Sequence, residues 1–191
     1  MFRQASLPLI FTLSPTLSNE EAALERELRR AVARKGPIVL GSAADPYDPA
    51  VRGTVRSLLE TFLRQEGLQI SITTRSPRIQ NDLELLVELD KRHSVTVRMA
   101  VDPGQADAAV RMHAARSLAA EGITTVVLCC PVEGSGEADL RPLLAEAREA
   151  GIFDVEIETL SQDSTGRTPV LATFRRLRLE HGFPLDVPGR G

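Results

Sequence analysis

The feature that most constrains this chain is an alternation. Short apolar runs that end in Gly, Pro or polar turn residues are followed, six times over, by longer stretches with a 3.6-residue apolar period. The short runs read as strands and the periodic stretches as helices. Strands are predicted at 7–13, 37–40, 68–73, 95–101, 123–130 and 153–159. A helix is predicted to open at Ser18, and others to cover 50–65, 81–90, 106–121, 137–150 and 169–181, with a Pro/Gly-rich tail over 183–191. Local signals fix the ends. Ser18 and Glu21 have the spacing of a capping box, Asn81 is a candidate N-cap, and Gly67, Gly122 and Gly151 are candidate helix stops. Pro142 fits a helix only in its first turn. Strict β-α alternation predicts a parallel sheet with crossovers of one hand. The expectation is a single α/β domain over residues 1–191.

Other properties narrow the function classes. A length of 191 residues suffices for one sizeable core. A net charge of -3 gives no strong nucleic-acid signal. The longest apolar run, 123–132, is too short to span a bilayer, so no membrane partner is expected. The first residues lack an apolar signal core followed by a small-residue cleavage site. The cysteines, Cys129 and Cys130, are neighbours on a predicted strand and point to opposite faces, which disfavours a disulfide between them. Together these predict a cytoplasmic protein.

Candidate chemistry collects where strands end, because ligands of parallel α/β sheets bind at the C-terminal ends of the strands. The stretch 37–49 is the clearest case. A strand runs into the small residues Gly41, Ser42, Ala43 and Ala44, then into the turn Asp45-Pro46-Tyr47-Asp48-Pro49. Other predicted strand ends bring Thr73, Thr74, Arg75 and Ser76, then Arg98 and Asp102, then Glu133 and Ser135. Hydroxyls, two arginines and a few carboxylates suit a small anionic or zwitterionic ligand. Solvation of loops accounts for the same residues without any ligand.

No metal or nucleophile motif is present. Cys129-Cys130 has the wrong spacing for zinc or an iron–sulfur cluster and reads as two small core thiols. His93, His113 and His181 are isolated from one another and read as surface or capping residues. The run Phe174-Arg175-Arg176-Leu177-Arg178 reads as a solvated helical face, with a partner contact as its alternative. There is no glycine-rich phosphate loop.

The segment 41–49 resembles G-[ST]-x-T-D-P-Y-Q-P-x-E of radical SAM proteins of the spore photoproduct lyase-like group. The likeness continues in order. Residues 72–76 are similar to that group's I-x-T-K-S, 81–86 to R-D-L-D-L-L, and 102–112 to E-P-x-A-P-S-P-x-x-R-L. Residues 118–123 resemble L-x-x-A-G-I, 130–134 the P-V-x-P-G region, and 149–151 the start of E-A-G-A. The resemblance covers about residues 17–160. It implies a parallel-stranded partial (β/α)6 barrel and an S-adenosylmethionine pocket lined by Ser42, Asp45, Tyr47, Thr74, Arg75, Ser76 and Arg98.

Departures from the pattern bear on the chemistry. In that group a C-x3-C-x2-C motif binds a [4Fe-4S] cluster that cleaves S-adenosylmethionine to a radical. This sequence has no such motif, so the cluster is not expected. Ala44, Asp48, Val51 and Arg75 replace the motif's Thr, Gln, Glu and Lys, and Arg98 falls at or near a serine expected to contact the cofactor's methionine part. Three functions are expected, in this order. The first is a degenerate radical-SAM-like domain, a non-catalytic or accessory binding protein with a protein partner. The second is a truncated or remnant enzyme whose cluster-binding segment lies upstream of Met1. The third is an enzyme of unrelated chemistry reusing the pocket, with Asp45, Tyr47 and Arg75 as candidate groups.

Overall fold

The computed structural model describes residues 9–11, 33, 37–41, 44–130, 137–152, 154–157 and 169–183. Among them are six strands: β1 (Leu9–Phe11), β2 (Ile38–Leu40), β3 (Gln69–Thr74), β4 (Ser94–Val101), β5 (Thr124–Cys129) and β6 (Asp154–Ile157). Five helices are described: α1 (Arg52–Phe62), α2 (Leu83–Asp90), α3 (Ala108–Ala120), α4 (Glu137–Glu149) and α5 (Pro169–Glu180). The helix expected from Ser18 lies outside the described residues apart from Ala33. No helix among the described residues is long and apolar enough to cross a membrane.

The sheet is parallel throughout, and its strand order is β1-β2-β3-β4-β5-β6. The strands follow sequence order and β1 and β6 are the two edges, so the sheet does not close into a barrel. With crossovers of one hand and no reversal of order, the helices fall on one side. Burial agrees. Ile38, Ile70 and Val95 share one row, as do Leu40, Ile72 and Val97. Met99, Val127 and Val155 share another. All of these are at most 2% exposed and form one core with Leu59, Phe62, Leu86, Met112, Leu118 and Leu144 from the helices. The opposite face carries Val39, Ser71, Thr73, Thr96, Arg98, Leu128, Asp154 and Glu156, all half-buried. A period of two thus divides an apolar, helix-covered face from a mixed one that is helix-free among the described residues.

Five local expectations are corrected. Asn81 does not cap α2; Pro77–Asp82 forms a 3-10 turn, and the Ser76 hydroxyl caps it by accepting from the Arg78 N–H at 3.4 Å. Pro at the first position of that turn has no N–H to lose, which favours an earlier start. Pro142 lies in the second turn of α4, where it is exposed, as is Ala138. His93 is buried at the end of α2, and Phe183 is core, not tail. Within the Phe174–Arg178 run, Phe174 and Leu177 are core, Arg178 is buried, and only Arg175 and Arg176 face solvent.

Candidate functional site

The turn after β2 is built around one carboxylate. Gly41 has φ +91°, and a Cβ there would lie 2.0 Å from the Thr73 carbonyl oxygen. Only glycine lets the chain leave β2 so close to β3. Asp45 follows. Its Oδ1 accepts from the Tyr47 N–H at 2.8 Å and the Thr74 hydroxyl at 2.7 Å. Its Oδ2 accepts from the Arg75 N–H at 2.8 Å. The buried Thr74 hydroxyl accepts in turn from the Ser76 N–H at 2.9 Å. Asp48 closes the turn, taking the Ala50 N–H on its side chain at 2.9 Å and the Val51 N–H on its carbonyl at 3.0 Å. Asp45, Thr74, Arg75 and Ser76 are therefore brought together, and Asp45 holds the ends of β2 and β3 in one knot.

Tyr47 lies within this turn. It is fully buried, and its hydroxyl lies against Asp82, which is 3% exposed and paired through Oδ1 with Arg56. Burial, then the charges of Asp82 and Asp45, raise the phenol well above its ordinary value, against a smaller opposing effect of Arg56. Tyr47 thus stays protonated and packs the turn onto α1 and the 3-10 turn.

Arg75 leaves its N–H in the knot and extends its guanidinium, half-exposed, toward Asp102 at 3.7 Å. Asp102, just beyond β4, is 8% exposed and accepts from Arg111 of α3 at 2.8 Å; Arg111 also pairs with Asp107 at 2.5 Å. Sequence reasoning met Arg111 only as the Arg of the segment 102–112 and not as a site residue, because its role depends on the helix returning across the end of β4. Ser42, Glu133 and Ser135 lie outside the described residues.

Arg98 is not among the partners of Asp45. It stands on the helix-free face, level with Thr73 on β3 and Val126 on β5. Its guanidinium pairs with Glu156 of β6, so the side chain crosses the whole of β5. Asp154 shares that face two residues earlier and lies 3.8 Å from Arg178. Burial, then the Glu156 charge, raises the Asp154 carboxyl above its ordinary value; Arg178 and Arg98 oppose this. Sequence reasoning missed both carboxylates, although alternation in 153–159 puts Asp154 and Glu156 on one face. The face combines a cation, two carboxylates and the hydroxyls of Ser71, Thr73 and Thr96, a donor set suited to a small polar ligand.

An iron–sulfur cluster needs thiolates at a shared vertex. Cys129 and Cys130 are adjacent, buried and not in a disulfide. Burial, with smaller contributions from Cys130 and Asp102, pushes the Cys129 thiol up to about 12. Two such thiols do not fit a cluster. No group of three or more His, Cys, Asp or Glu residues among the described residues is placed to hold a metal ion.

These features define an α/β protein with a singly wound parallel sheet, one face under helices and the other mixed in character, with no helix on it among the described residues. No family model matches the chain. It is similar to an uncharacterized protein of Mycobacterium tuberculosis and one of Mycobacterium bovis, each 28% identical over 156 residues. The match covers 73% of this chain and 46% of each relative, so the chain spans under half the length of these relatives.

Proposed function

We propose that this chain is a radical-SAM-like domain of the spore photoproduct lyase-like kind that performs no cluster chemistry with its own cysteines. It acts as a binding or accessory protein and takes a small anionic or zwitterionic ligand, S-adenosylmethionine or a relative, on the helix-free face of the sheet. The observation that carries this reading is the division of labour among the polar groups. Asp45, Tyr47 and Thr74 are engaged in holding the turn. Arg98 and Glu156, each about a third exposed, stay within reach of a ligand. The guanidinium has five N–H donors, and one ion pair leaves others free to meet a carboxylate.

The test is anaerobic iron and sulfide reconstitution followed by calorimetry with S-adenosylmethionine and S-adenosylhomocysteine. The expected result is no brown chromophore, binding of at least one of the two, and loss of that binding in Arg98→Ala. A chromophore, or binding to neither compound, overturns the reading. A second reading rests on the relatives being more than twice as long as the region they share with this chain. In it this domain works with a further segment that supplies the cluster. A reading frame beside this one that encodes C-x3-C-x2-C would support it.

A further inference from the structure

His93 links three segments at the N-terminal end of the sheet, away from the Asp45 knot. The Leu68 N–H, just before β3, donates to Nδ1 at 3.2 Å. Nε2 lies 3.0 Å from the carbonyl oxygen of Phe62, the last residue of α1. An amide N–H only donates and a carbonyl only accepts. Nδ1 is therefore bare, Nε2 carries the proton, and the ring is neutral in one tautomer. The residue is 8% exposed. Between its two partners runs the turn 63–67, in which Arg64, Glu66 and Gly67 are exposed. That turn is also held by the Leu63, Arg64 and Gln65 N–H groups on the Leu59, Thr61 and Phe62 carbonyls at 3.3, 3.2 and 2.9 Å, by the Gly67 N–H on Arg92 O at 3.1 Å and by the Arg92 guanidinium on Leu63 O at 3.4 Å.

We infer that His93 is an acid-released latch: the neutral ring ties the end of α1 to the start of β3, and a second proton at Nδ1 frees the segment 63–68 while the Asp45 end of the sheet stays closed. A proton on Nδ1 faces the Leu68 N–H, donor against donor. The Leu68 bond breaks, and a charge is left in a buried site. The surroundings set the direction. Burial is the largest influence and holds the imidazole below its ordinary value; the Phe62 carbonyl opposes it. Arg92 on the same turn works with burial, and Glu66 on the latched segment works against it. At the end of α2, Glu88 and Lys91, the residue just past the helix, hold each other at 2.8 Å. Within the turn 63–67, the Arg64 guanidinium donates to the Thr61 hydroxyl of α1 at 3.0 Å.

The unfolded or opened chain takes the proton near pH 6.5, the latched ring only lower. The latch is at full strength above about pH 6.5 and weakens as pH falls from there toward the folded-state value. In that window the opening constant approaches a rise of about tenfold per pH unit. Asp154, raised in the fold, has the opposite sign and sits on the far edge strand.

The test is native-state hydrogen exchange on the full chain, corrected for intrinsic rates, from about pH 7.5 to about pH 5. Opening at the Leu68 amide should climb steeply while opening at the Arg75 amide does not. His93→Gln should flatten the climb, because its amide offers an oxygen to Leu68 and an N–H to Phe62 without titrating. No climb, an equal climb at Arg75, or an unchanged climb in His93→Gln overturns the proposal. If His93→Gln does not fold, nitrogen shifts of the wild-type ring decide. A neutral Nε2–H tautomer titrating below pH 6.5 sustains the latch, and titration at or above 6.5 overturns it.

Discussion

Asp45 has about four lone-pair directions and fills three of them with donors from its own turn and from the end of β3. Removing the carboxylate leaves the partly buried Tyr47 N–H and Thr74 hydroxyl without an acceptor. Asp45→Ala should therefore cost about 1–3 kcal/mol of stability, read from urea unfolding. Asp45→Asn, which keeps one oxygen, should cost less. A cost for the alanine variant no larger than that of a plain surface change would mean that the turn is held by Gly41 and Tyr47 alone. Grouping Asp45 with Thr74, Arg75 and Ser76 was legible in the sequence, because strand ends of a parallel sheet converge. The burial of Tyr47 was not. Its partner Asp82 is a helix-boundary residue 35 positions on, and nothing local announces the contact.

At the level of elements, α4 and α5 are joined by a closed ring of charges. Arg141 bridges Glu137 at 2.5 Å and Glu180 at 3.0 Å, and Arg176 bridges Glu137 at 2.5 Å and Glu180 at 2.6 Å. Each carboxylate serves two guanidinium groups, so removal of one arginine changes the value of the other. A double-mutant cycle on Arg141→Ala and Arg176→Ala should show a coupling that shrinks as salt is raised from about 0.1 M to about 1 M, where screening falls from roughly 10 Å to 3 Å. A salt-independent coupling would point to packing instead. Alternation and periodicity foretold these elements well because each depends on neighbours in sequence. His93 was misread for the converse reason. A histidine at a helix end resembles a cap, and its two partners lie 25 and 31 residues away.

For the whole molecule, the pairing is uneven. Among the described residues, β3, β4 and β5 are joined by six paired positions at each boundary, whereas β1–β2 and β2–β3 have three each and β5–β6 four. Amide protection should accordingly peak in β3 to β5 and be weakest in β1, as read by hydrogen exchange at neutral pH. Uniform protection would indicate an all-or-none sheet. The α/β class and parallel sheet were legible from the order of elements. Whether the sheet closes was not, since closure depends on accumulated twist and stagger that no local pattern encodes.

The engagement of Asp45 has a consequence for how this chain drifts over generations. A residue whose every contact is internal is retained by selection for folding alone. Arg98 and Glu156 pair with each other but stay about a third exposed, so they can change with whatever the sheet face is selected to hold. A signature keyed on Asp45-Pro46-Tyr47 thus traces descent of architecture, and divergence of activity among descendants should be sought on the strands that face away from the helices.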